Sequence, residues 1–146
     1  MLELTNINST FNLNNEVKIP CVGYGTFRTP ADVAEQAVKE AIETGYRHID
    51  TAAVYGNEEA VGKGIKDSGI KREDLFVTSK LWNTNRGYEQ TKKVFQETLD
   101  RLQMDYLDLY LIHWPANEKQ FGDDAAKINA ETWRAMEDFY NEGKIR

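Results

Sequence analysis

Four side chains that can hold or hand over a proton fall at matching places in the sequence: Asp50, Tyr55, Lys80 and His113. Carboxylate, phenol, ammonium and imidazole are all acid–base groups. Asp50 stands near the end of one predicted strand, with Tyr55 in the loop behind it. Lys80 stands near the end of the next strand and His113 near the end of the one after. In barrels and other α/β sheets this end of the strands is where chemistry sits. Taken singly, each residue has an ordinary explanation. Asp50 before Thr51 reads as a loop or cap residue, Tyr55-Gly56 as a turn with a packed aromatic, Lys80 as a solvated charge and His113 as a satisfied core histidine. Together they form a charged cluster that costs stability unless it works. Two other chemistries fare worse. A metal site is the rival use of His48-x-Asp50, but the chain holds only one other histidine and the charge of Lys80 repels a cation, so no metal is expected. Gly23, Gly25 and Gly45 do not make the G-x-G-x-x-G turn of a Rossmann nucleotide site.

The elements that must position these groups follow from periodicity. Residues 2–20 alternate apolar and polar around Asn14-Asn15 and predict a β-hairpin. A strand-then-helix pattern then repeats four times. Residues 21–25 predict a strand, and Pro30 starts a helix over 31–44 that Gly45 stops. Residues 47–52 predict a second strand, and Asn57 is placed to cap a helix over 58–67 ending at Ser68-Gly69. Strand 75–81 leads to helix 88–103, and strand 106–114, stopped by Pro115, leads to helix 130–140. Alternation of this kind implies parallel strands joined by right-handed crossovers. Four units make either a small doubly wound sheet or half of a barrel, and periodicity does not separate the two. Residues 143–146 read as the lead into a fifth strand. A closed barrel needs about 250 residues, so the chain is expected to be a fragment.

Composition bounds the setting. The chain has 146 residues, 40% hydrophobic and 29% charged, which reads as one globular domain, residues 1–146, without an internal boundary. No apolar run approaches the roughly 18 residues of a membrane span. Residues 1–10 lack the basic and apolar regions of a secretory signal. Cys21 is the only cysteine, so no disulfide framework exists and a cytoplasmic location is expected. A net charge of −6 without a basic cluster disfavours nucleic acid as a partner.

Three segments carry a family resemblance. Gly45-Tyr-Arg-His-Ile-Asp-Thr-Ala-Ala-Val-Tyr-Gly-Asn-Glu-Glu-Ala-Val-Gly62 resembles, over its whole length, the first signature of the aldo-keto reductases. Leu75-Phe-Val-Thr-Ser-Lys-Leu-Trp82 resembles their third-strand lysine segment, and Asp105-Tyr-Leu-Asp-Leu-Tyr-Leu-Ile-His-Trp-Pro115 their fourth-strand histidine segment. The resemblance is to prokaryotic-type aldehyde, ketone, diketogluconate or glyoxal reductases. It implies a (β/α)₈ TIM barrel of which this chain covers the hairpin and the first four βα units. It implies NADPH-dependent reduction of small carbonyl substrates, completed by the C-terminal half, with a non-catalytic partner-binding subunit as the alternative. Tyr55 matches the proton donor, Lys80 and Asp50 the pair that tunes it, and His113 the residue that orients the carbonyl. Gly25-Thr26-Phe27, with Asp50, matches the cofactor side of the site. Phe27, where many relatives carry tryptophan, joins Trp82, His113 and Trp114 toward the substrate, though both tryptophans can equally be loop packing. The segments that hold most of the cofactor lie outside this sequence. The full-length protein is expected to be a monomer. The inward faces of a half-barrel, with Phe76, Thr78, Leu109 and Leu111, are expected to expose a continuous apolar surface, so that the 146-residue chain self-associates or belongs to a longer one.

Overall fold

The structure is a computed structural model and describes residues 4–146. Of the expected hairpin, residues 2 and 3 lie outside the described residues. The rest forms β1 (Thr10–Asn12) and β2 (Lys18–Pro20), antiparallel, with Phe11 opposite Ile19. The elements that follow are β3 (Tyr24–Gly25), α1 (Ala31–Thr44), β4 (His48–Asp50), α2 (Glu58–Asp67), β5 (Phe76–Leu81), α3 (Tyr88–Leu102), β6 (Leu109–Ile112), α4 (Glu118–Phe121) and α5 (Asp124–Asn141). Strands β3 to β6 lie side by side in sequence order, all parallel. Among the described residues, no helix is long and apolar enough to cross a membrane.

The register sorts side chains by face. Ile49, Val77, Leu81 and Tyr110 point to the side where the long helices pack. Their core partners recur at helical spacing: Val38 and Ile42 on α1, Val61 and Ile65 on α2, Val94, Phe95 and Leu99 on α3, Met136 and Phe139 on α5. Phe95 stacks on Phe139 at 4.0 Å and tilts against Tyr110 at 4.8 Å. All four long helices therefore cover one face of the sheet. A doubly wound sheet would carry helices on both faces, so this sheet is a barrel wall. The other face carries His48, Asp50, Phe76, Thr78, Lys80, Leu109 and Leu111.

Helix α2 nests unusually close to its neighbours. A Cβ on Gly62 would lie 2.7 Å from the carbonyl carbon and 2.8 Å from the Cα of Leu102 at the end of α3. One on Gly64 would press on the Glu35 carbonyl of α1. The same helix sends the buried Glu58 carboxylate to Ser79 Oγ (2.6 Å) and Arg101 Nε (2.8 Å), tying α2 to β5 and α3.

Four expectations need correction. The fourth strand is shorter than 106–114. Leu107 pairs instead with Ile145 in an isolated parallel bridge, and Asp108 turns inward to accept from Val77 N–H (2.9 Å) and Arg72 (2.7 Å). The last helix starts at Asp124 rather than residue 130, behind the short α4 that Gly122 ends. Asn57 occupies the N-cap position of α2, but its side chain makes no cap bond. The inner face is not a continuous apolar opening: Phe76 and Thr78 are buried, and its exposed apolar side chain is Leu111 on β6, 38% exposed beside the half-buried Leu109. Residues 143–146 come alongside the segment that precedes β6, through the Leu107–Ile145 bridge.

Candidate active site

Adjacent parallel strands bring the lysine and the aspartate together. Asp50 ends β4 opposite Thr78, and Lys80 stands two residues further along β5 on the same face. The Lys80 ammonium donates to Asp50 Oδ1 at 2.5 Å and to the Thr51 carbonyl at 2.9 Å. Its side chain is only 14% exposed, so these two oxygens replace most of its hydration. Tyr55 ends a 3₁₀ turn, Ala53–Tyr55, closed by the bond from Tyr55 N–H to the Ala52 carbonyl (3.0 Å). Gly56 then leaves the turn at φ 68°, a conformation that costs a side-chain-bearing residue. The turn carries the Tyr55 hydroxyl back over the sheet to 3.4 Å from Lys80 Nζ.

His113 follows β6, its N–H still bonded to the Leu81 carbonyl (3.0 Å), and presents its ring edge-on to Tyr55 at 6.0 Å. Its Nδ1 is buried without a hydrogen-bond partner. Burial, and secondarily the Lys80 charge, push its pKa down from the ordinary histidine value, against a weaker pull from Asp50. The imidazole is therefore neutral at neutral pH. Trp82 meets it edge-on at 5.2 Å, and Phe27 tilts against the Tyr55 ring at 5.1 Å.

The structure thus gathers Asp50, Tyr55, Lys80 and His113, with Phe27 and Trp82 at their margin. Gly25 lies beside Asp50 in the register, and a Cβ there would meet nothing within 4 Å. Trp114 is 64% exposed. Thr26, between Gly25 and Phe27, is wholly buried, its hydroxyl donating to Thr51 Oγ1 at 2.8 Å. Among the described residues, no group of three or more His, Cys, Asp or Glu is placed to hold a metal ion. A hollow of about 790 Å³ behind the Tyr55 turn is lined by Val54, Trp82, Glu97 and Arg101 and by none of Asp50, Tyr55, Lys80 and His113.

The model of the Aldo/keto reductase family matches residues 21–146. The chain belongs to that family. It is 51% identical over 143 residues to the glyoxal reductase of Bacillus subtilis (strain 168), covering 97% of this chain and 49% of that protein. It is 46% identical over 136 residues to the 9,11-endoperoxide prostaglandin H2 reductase of Trypanosoma cruzi (strain CL Brener), covering 92% and 44%. An aldo/keto reductase from Brucella melitensis superposes with a TM-score of 0.87 at 48% identity, over 94% of this chain and 50% of that one. A Bombyx mori aldo-keto reductase, solved in complex with NADP, gives 0.84 at 43%, over 94% and 48%. The chain spans about half the length of the curated relatives it matches.

Within the aldo/keto reductase barrel, this chain supplies the hairpin and the first four βα units. Two residues near the site were not singled out from sequence. Arg86 donates through Nε (3.0 Å) and Nη2 (2.6 Å) to the Trp114 carbonyl, fastening the loop after β6 to the loop after β5. Thr51 supplies the second oxygen around Lys80 through its backbone, which no side-chain pattern announces.

Proposed function

We propose that this chain supplies the proton-donating half of an NADPH-dependent reductase of aldehydes and ketones. One observation carries the reading: Lys80 Nζ is fixed between Asp50 and Thr51 and stands 3.4 Å from the Tyr55 hydroxyl. Gly25, Phe27 and Asp50 would border the nicotinamide. The open space over Gly25 and the accessible Asp50 carboxylate fit a flat ring there. When bound, the reduced nicotinamide supplies the hydride that the carbonyl carbon receives.

The chain's own residues then manage the oxygen. Tyr55 gives its hydroxyl proton to the developing alkoxide, acting as general acid. The ammonium of Lys80 stabilises the phenolate left behind, as a neighbouring positive charge favours any anion. Asp50 keeps that ammonium in place and offsets its desolvation. Neutral His113, with its proton on Nε2, donates a hydrogen bond to the same oxygen, which leaves Nδ1 as the nitrogen without a partner. Phe27 and Trp82 would shape the approach of a small carbonyl substrate, beside His113.

Tyr55→Phe keeps the ring and removes the proton. In the full-length reductase we expect carbonyl reduction to fall by about 10²–10⁴-fold with NADPH affinity nearly unchanged, measured by single-turnover kinetics and fluorescence titration. Near-normal turnover in that variant would sink the assignment.

A further inference from the structure

We propose that Asn57 is a positioning residue for this reaction, locking the loop of Gly25 and Phe27 to the turn that carries Tyr55 and to the carbonyl that holds Lys80. The proposal rests on the function proposed above.

Asn57 is 2% exposed and sits where a helix cap belongs, yet its amide serves other partners. Nδ2 donates to the Thr26 carbonyl (3.0 Å) and to the Thr29 carbonyl (2.9 Å). Oδ1 takes a longer bond, 3.4 Å, from Thr51 Oγ1. That hydroxyl in turn accepts from Thr26 Oγ1 at 2.8 Å, so Thr26, Thr51 and Asn57 close a ring of hydrogen bonds with no water-facing member. The ring has two outlets toward the chemistry. Through the Thr51 backbone it reaches the carbonyl bonded to Lys80 Nζ. Through the chain after Thr26 it reaches Phe27, whose ring lies 5.1 Å from that of Tyr55.

Both donors of the amide are spent on carbonyls of one loop, while its acceptor serves the other. Only a side chain that donates twice and accepts once satisfies all three. Aspartate has the shape but cannot donate, and would set a buried charge against two carbonyl oxygens. A cap would ask only for an acceptor. The choice of an amide here therefore serves the joining of the two loops. Acid transfer needs the Tyr55 oxygen within hydrogen-bond reach of its target. A displacement of about 1 Å at such a site can cost about 10²-fold in rate.

The test is a double-mutant cycle in the full-length reductase. Asn57→Ala is expected to lower kcat about tenfold or more in the wild-type background and less than twofold in the Tyr55→Phe background, because it acts through Tyr55 and Lys80. Equal drops in both backgrounds would mark a merely structural residue and overturn the proposal. Thr51→Val keeps the carbonyl that holds Lys80 and removes the hydroxyl link. It carries the same comparison if Asn57→Ala fails to fold. Independently of turnover, the ring-to-ring nuclear Overhauser effect between Phe27 and Tyr55 should vanish in either folded variant of the 146-residue chain, and its persistence counts against the lock. Normal turnover of Tyr55→Phe alone would instead reject the proposed function, so the two failures are distinguishable.

Discussion

Replacing glycine by alanine within a helix ordinarily stabilises it by about 1 kcal/mol, because the unfolded chain has less freedom to lose. At Gly62 the sign should reverse. The new methyl would stand 2.7 Å from the Leu102 carbonyl carbon, whereas carbon atoms rest about 3.5–4.0 Å apart, so one backbone must retreat by about 1 Å. Neither can do so cheaply, since Leu102 and Val61 are both buried in the core that α2 and α3 share. Overpacking of this kind costs about 1–3 kcal/mol. Subtracting the helical gain leaves a net loss of up to about 2 kcal/mol, or up to about 8 °C in melting midpoint for a chain of this size. Circular dichroism melts of Gly62→Ala and Gly64→Ala decide it, with Gly25→Ala as the control that meets open space. A midpoint raised by Gly62→Ala would refute the reasoning, for it would mean that α3 gives way without cost.

Gly25→Ala should leave the melt unchanged yet weaken NADPH binding by the full-length reductase, because its methyl enters the space assigned to the nicotinamide; unchanged affinity would count against that assignment. Acid should destabilise the fold near neutrality. Burial depresses the pKa of both His48 and His113, so the unfolded chain binds more protons, and stability is full above about pH 6.5 and declines as pH falls through that window. Urea midpoints at pH 7.5 and 5.5 read this, and a His48→Asn variant should show a smaller difference; identical midpoints in the wild type would contradict it. With Leu111, Trp114, Trp133 and Tyr140 exposed, purified residues 1–146 should sediment partly as dimers or larger species, and a clean monomer with a sharp melt would argue otherwise.

The order of the strands and the placing of Lys80 and His113 could be read from sequence because both depend on period-two alternation and on short connections, which are local. The glycine stop after α1 and the start of α2 were legible for the same reason. What escaped depends on partners distant in sequence. Asp108 sits in a run that alternates like a strand, but its carboxylate is claimed by Val77 and Arg72, about thirty residues earlier, and the strand begins only at Leu109. Thr26 and Asn57 look like a loop hydroxyl and a cap until the three-way contact with Thr51 is seen. The early start of α5 was hidden by Gly122-Asp-Asp, a turn-like triplet whose second aspartate opens the helix instead.

The bond between Lys80 and Asp50 closes over only thirty residues, between neighbours in the sheet. That short span bears on synthesis at the ribosome. Chains emerge at about 5–20 residues per second, N-terminal segments first. All the groups that hold the ammonium, its carboxylate and the tyrosine turn have therefore been synthesised once β5 and the helix behind it have cleared the exit tunnel. Arrest of translation at successive lengths, followed by protease challenge, would show this part acquiring protection before the rest of the barrel exists.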